Sequence, residues 1–198
     1  MALVEIRNLS AGTRLGIWKI EESVEDFFHA FPYLSNYRKQ VETEFRYDGR
    51  RQEFLAIRAL LHEMLGDSVE ITHNADGKPM LEGWNISISH TKGYACLIMS
   101  EIHEVAVDIE YRSDRVQKIL QRFIRPDEKA STLDMQLLHW CAKEAVYKYF
   151  SAEDLKFFEM RIHNVSSFQC VVDNLRTAVS VDVEYENTEN YMLAYIFG

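Results

Sequence analysis

The chain has 198 residues and a mass of 23.2 kDa, with 47% hydrophobic and 12% aromatic residues, ample for a packed core and far from a disordered composition. Its formal charge of −9 argues against a generic nucleic-acid binder, and no run approaches the roughly 20 apolar residues of a membrane span. The opening MALVEIRNLS lacks a basic stretch followed by an apolar run, so it does not read as a secretory signal; Cys96, Cys141 and Cys170 lack metal-ligand spacing and read as reduced core residues of a cytoplasmic protein.

In chain order, LGIWKIEESVEDFFHAFP reads as a strand, a polar stretch, an amphipathic helix and an X-Pro break. FLAIRALLHEM (54–64) follows as a helix, Asp76-Gly77-Lys78-Pro79 as a tight turn before a strand, and Ile86 to Thr91 as an alternating strand ending in Ser89, His90 and Thr91. GYACLIMS (93–100) is a short apolar run with β character. The pattern then repeats weakly. VAVDIEYRSDRVQKILQRFIRP echoes the opening strand–helix–Pro segment, WCAKEAVYKYF (140–150) echoes the 54–64 helix, and NYMLAYIF (190–197) echoes GYACLIMS. The expectation is an α+β protein of two similar halves, 1–102 and 103–198, related by a pseudo-twofold axis, each a small antiparallel sheet packed with a long helix. The repeat is asymmetric: where the second half has Asp108 and Glu110 the first has Trp18 and Ile20, and where it has Glu144 the first has Arg58. Only the second half would then hold a metal.

The chemistry concentrates in that second half. Glu104-Val-Ala-Val-Asp-Ile-Glu110 sets Asp108 and Glu110 at i and i+2, on one face of a strand. Glu144 and Lys148 lie one helical turn apart. Three carboxylates on one side of a strand–helix junction repel unless a cation joins them, and an oxygen-only set favours a hard ion such as Mg²⁺. A helix from Ser113 carries Arg112, Arg115, Lys118 and Arg122 beside Val116, Ile119 and Leu120, a basic stripe in an acidic protein. Arg122-Phe-Ile-Arg-Pro126-Asp-Glu128 reads as a restarted helix with Pro126 near its first position. Each piece has a bland alternative: strand-end acids, a surface helix pair, a solvated face.

Taken in order, GKP (77–79), SISHT (87–91), AVDIE (106–110), RFIRPDE (122–128) and WCAKEAVYK (140–148) resemble the 4′-phosphopantetheinyl transferase superfamily, and more closely its larger, monomeric, surfactin-synthetase-type branch. That resemblance covers residues 50–150 well and the ends only by architecture. It implies Mg²⁺ and coenzyme A pyrophosphate at Asp108, Glu110 and Glu144, with Lys148 by the phosphates. It implies coenzyme A phosphates held by Lys78, Ser89 and His90, and a 3′-phosphate contact from Arg51 or its neighbour Arg50. It further implies that Arg112, Arg115, Lys118 and Arg122 dock an acidic acyl or peptidyl carrier protein of fatty acid, polyketide or peptide synthesis.

The reaction implied is transfer of 4′-phosphopantetheine from coenzyme A to a carrier serine, with release of 3′,5′-ADP. Glu144, directly or through a metal-bound water, is the candidate base, and Glu128 the second choice. Three departures from the family pattern stand out: Ala106 replaces its glycine, Ser87 its asparagine, and no glycine-rich loop follows Lys148. The rival readings are a non-catalytic module that binds coenzyme A or a carrier protein, and a Mg²⁺-dependent phosphohydrolase.

Overall fold

A computed structural model describes residues 3–66 and 69–198; Met1 and Ala2, at the head of the segment read for a secretory signal, lie outside the described residues. The chain forms two compact units, Met1–Ile102 and His103–Gly198. Each is mixed α and β, with an antiparallel sheet packed on a long helix. No helix among the described residues is long and apolar enough to cross a membrane.

In the first unit, β1 (Leu3–Ser10) and β2 (Thr13–Lys19) form a hairpin. Helix α1 (Val24–Ala30) starts at a capping box: Ser23 Oγ accepts from the Asp26 amide at 3.2 Å, and Asp26 accepts from the Ser23 amide at 3.0 Å. A 3₁₀ turn, Pro32–Tyr37, and α2 (Arg38–Glu44) lead to α3 (Asp48–Leu65), which ends at Gly66 in the left-handed conformation, φ 77°. The small pair β3 (Thr72–His73) and β4 (Pro79–Met80) flanks the Lys78 turn. Strands β5 (Asn85–Thr91) and β6 (Tyr94–Ser100) complete a sheet of order β1-β2-β6-β5. Helix α3 buries Leu55, Ala59, Leu60 and Met64. It approaches β2 so closely that a Cβ on Gly16 would lie 2.7 Å from Leu60 Cδ1 and 2.8 Å from Met64 Sδ.

The second unit runs β7 (Val105–Tyr111), a 3₁₀ helix Asp114–Arg122, α4 (Leu133–Tyr149), β8 (Met160–His163), β9 (Gln169–Asn174), β10 (Val179–Asn187) and β11 (Tyr191–Phe197). Its sheet order is β7-β11-β10-β9-β8. Helix α4 starts at Thr132, whose Oγ1 accepts from the Met135 amide at 3.3 Å, and buries Leu137, Leu138, Cys141, Ala142, Ala145 and Val146. The two units share one connectivity: β2-β6-β5 and β7-β11-β10 are hydrogen-bonded in the same order, with the long helix preceding the last two strands in the chain. All three cysteines are buried and form no disulfide.

Two expected helices differ. The segment after Ser113 is a 3₁₀ helix, with Ser113 as its cap. No helix restarts at Pro126, which lies in a turn. The reason is Glu128: its side chain turns inward and accepts from the Arg125 amide at 2.9 Å and the Ile162 amide at 2.8 Å, holding the segment as a turn against β8.

Candidate active site

Strand β7 carries Asp108 almost fully buried and Glu110 half-buried. Facing them, the C-terminal half of α4 presents Cys141, Glu144 and Lys148 at spacings of three and four, one stripe of a 3.6-residue helix. Lys148 Nζ donates to Asp108 Oδ1 at 2.8 Å and to Val107 O at 2.9 Å, pinning the end of α4 to β7. Glu144 answers to this surrounding charge. Burial first, then the negative charges of Asp108 and Glu110, push its carboxyl up to about 7, while Lys148 opposes them. Cys141 sits one turn before Glu144. Burial, and the carboxylates of Asp108 and Glu110, push its thiol well up, and Sγ donates to Met192 O at 3.7 Å. Cys141 is in the core as expected, and its offset of three from Glu144 sets it beside the same carboxylates.

Among the described residues, no group of three or more His, Cys, Asp or Glu side chains is gathered to hold a metal. The donor chemistry of Asp108, Glu110 and Glu144 nonetheless suits a hard cation. It is oxygen-only, and burial with the charges of Asp108 and Glu110 raises the Glu144 carboxyl.

Glu128 and Lys143 belong to the interior. Both side chains are 0% exposed, with Lys143 Nζ 2.7 Å from Glu128 Oε2 and 2.7 Å from Phe123 O. A carboxylate so enclosed has no access to a substrate hydroxyl, so Glu128 is withdrawn as a base candidate. Its role is to tie the Phe123–Glu128 segment and β8 to α4.

The basic stripe divides. Arg112 precedes the 3₁₀ helix and is bound to Asp134, to Asn187 Oδ1 at 2.7 Å and to Thr188 O at 3.3 Å. With three residues per turn, Arg115 and Lys118 eclipse each other on one exposed row. Arg122 is exposed too, but falls on the row of Val116 and Ile119.

The remaining nominated residues lie in the first unit. A pocket of ≈ 300 Å³ is lined by Tyr37, Phe45, Arg50, Phe54, Arg58 and His90, among others. Arg50 Nη1 is 3.2 Å from the His90 ring nitrogens and 2.8 Å from Glu53 Oε2. Arg51 turns away, donating to Phe45 O at 2.9 Å and Asp48 Oδ1 at 3.0 Å. Ser89 is buried and is next to His90 on β5, so the two side chains leave opposite faces of the strand. Lys78 sits in its turn, where its amide donates to Asn74 Oδ1 at 2.9 Å and Gly77 adopts φ 80°. Neither Lys78 nor Ser89 lines the pocket that joins Arg50 to His90.

Residues 104–196 match the family model of the 4′-phosphopantetheinyl transferase superfamily. The superfamily match spans almost all of the second unit, from β7 to β11, and contains AVDIE, RFIRPDE and WCAKEAVYK. The GKP and SISHT segments lie outside it, in the first unit. No curated protein matches the chain.

Proposed function

We propose that the protein transfers 4′-phosphopantetheine from coenzyme A to a serine of an acidic acyl or peptidyl carrier protein, as a cytoplasmic monomer of the larger, surfactin-synthetase-type class. One observation carries this reading. Within the span that matches the superfamily, Asp108, Glu110, Glu144 and Lys148 converge on one strand–helix face, where burial and the neighbouring carboxylates raise the Glu144 carboxyl.

In this reading the serine Oγ forms a bond to the β-phosphorus of coenzyme A. The bond from that phosphorus to the bridging oxygen breaks, and 3′,5′-ADP leaves with its electron pair. Mg²⁺, held by Asp108, Glu110 and Glu144, would supply positive charge for the pyrophosphate. Glu144 takes the serine proton, because a hydroxyl at its ordinary pKa is a weak nucleophile. Lys148 sits within reach of the same carboxylates and stabilises charge growing on the pyrophosphate oxygens. In the first unit, Arg50 and His90, with the aromatic wall of Phe45 and Phe54, suit a phosphate group better than Arg51 does. Arg115 and Lys118 meet the acidic carrier, where charge complementarity steers encounter and sets orientation.

The test mixes protein, coenzyme A, Mg²⁺ and an apo carrier protein and reads carrier mass. Modification by the wild type, lost in Asp108→Ala and on chelation, supports the transferase. Coenzyme A or carrier binding without modification returns the non-catalytic module. Phosphate release without modification points to the phosphohydrolase.

A further inference from the structure

Behind the larger pocket of the first unit lies a small cavity of ≈ 40 Å³, lined by Tyr33, Asn36, Tyr37, Arg58, Leu61, His62 and Val69. Three buried polar atoms lining it have no hydrogen-bond partner: Tyr33 Oη, Arg58 Nε and His62 Nδ1. Their convergence follows from the local structure. Arg58 and His62 are i and i+4 on α3, so they share a face, and the 3₁₀ turn Pro32–Tyr37 lays the Tyr33 ring on the His62 ring at 4.2 Å. Buried polar groups are almost always paired, so three orphans around one void call for a bound species.

Charge decides which species. Arg58 lies against Phe54, with Cζ 3.2 Å from the ring centroid, and 5.1 Å from that of Tyr37. Its Nη1 donates to Phe54 O at 3.1 Å, yet the guanidinium forms no ion pair among the described residues. Glu44 and Glu70 act on it only through space, and burial pulls it down to about 10. Burial also holds the Tyr33 hydroxyl above its usual range, so it stays a donor. Tyr37 and the two distant glutamates favour the charged form, yet water at the void would leave the guanidinium without a contacting counter-charge. An anion answers both the unpaired polar atoms and the charge. A void that holds one water needs only about 10–15 Å³, so this one admits a small anion and excludes bulky organic ones.

We propose that the cavity between the Pro32–Tyr37 turn and α3 binds one small inorganic anion of chloride size, held by Arg58, Tyr33 and His62. Bound there, it ties the turn to α3 and braces Arg58 and Tyr37, which also form a wall of the larger pocket.

The test compares thermal unfolding in chloride or bromide with unfolding in gluconate at equal ionic strength, for wild type and Tyr33→Phe. Losing one orphaned hydroxyl leaves the fold intact or firmer, because it removes an unsatisfied buried group. Wild type should gain roughly 3–6 °C in the small anion at about ten times its Kd, and Tyr33→Phe should lose most of that gain. His62→Leu, a second variant at the same void, should behave alike. Crystals grown in bromide should show an anomalous peak between Tyr33 Oη and Arg58 Nε. Equal anion responses in wild type and Tyr33→Phe, or a water there without anomalous signal, would overturn the proposal.

Discussion

Replacing Glu128 with Gln removes the buried negative charge at nearly constant volume, along with one acceptor for the Arg125 or Ile162 amide. At 2.7 Å and an effective dielectric constant near 20, the Lys143–Glu128 attraction is about 6 kcal/mol. Desolvation of both charges offsets part of that, and removing one partner of such a pair typically costs about 3–5 kcal/mol. Glu128→Gln should therefore lose about 3–5 kcal/mol in urea unfolding at neutral pH. The pH dependence provides a second check. Burial pulls the Lys143 ammonium down and Glu128 holds it up, so the variant's Lys143 should fall further. A base whose folded pKa lies below its unfolded value binds fewer protons in the native state. Stability then rises with pH between the two values, and the variant's deficit should shrink as pH approaches 10. Adding Lys143→Met to Glu128→Gln should recover part of that loss, because no unpaired ammonium is then left buried. A Glu128→Gln loss below about 1 kcal/mol, or a deficit that grows with pH, would refute the reading of this pair as an interior tie.

Lys148→Ala should lower kcat by about 10²–10³ with little change in the coenzyme A KM, measured by steady-state transfer, because it acts on charge that develops during reaction. Arg115→Glu with Lys118→Glu should raise the carrier KM strongly, leave coenzyme A binding in place and abolish most of its salt dependence, since exposed charges are screened over about 8 Å at physiological ionic strength. Asp173 contributes an acid-sensitive tie. Burial works to raise its carboxyl, but hydrogen bonds from His163, Arg161 and Ser180 outweigh this and hold it at about 2. A depressed carboxyl stabilises fully above its unfolded pKa of about 4 and loses that contribution as pH falls through its folded value. Acid titration of unfolding should thus show Asp173→Asn converging on wild type between about pH 4 and 2. Ala178 sits at φ 56° in the β9–β10 turn, so Ala178→Gly should raise stability by about 0.5–1 kcal/mol in urea melts.

Patterning along the chain was enough to place the strands that carry Asp108, Glu110 and His90 and the helix that carries Glu144 and Lys148. Periods of 2 and 3.6 are local properties, and each segment repeats its period clearly. The same locality made the i, i+2 carboxylates legible as one strand face and the i, i+4 Glu–Lys pair as one helix face. Long-range pairing was not. Arg50 and Arg51 are neighbours on one helical turn, and only the tertiary fold, which brings the first turn of α3 near the end of β5, sends the first to His90 and leaves the second on Phe45 O. Ser89 and His90 read as one motif, but a strand's alternation buries one and exposes the other. Glu128 read as the second-choice base until the fold enclosed it with Lys143. The helix after Ser113 tightened to 3₁₀, which keeps Arg115 and Lys118 in register and rotates Arg122 away. Composition and spacing thus determined which side chains carry charge and which face of each element they share. Burial decided which charges are neutralised inside and which remain exposed, because desolvation depends on every element packed around a group and no segment encodes that alone.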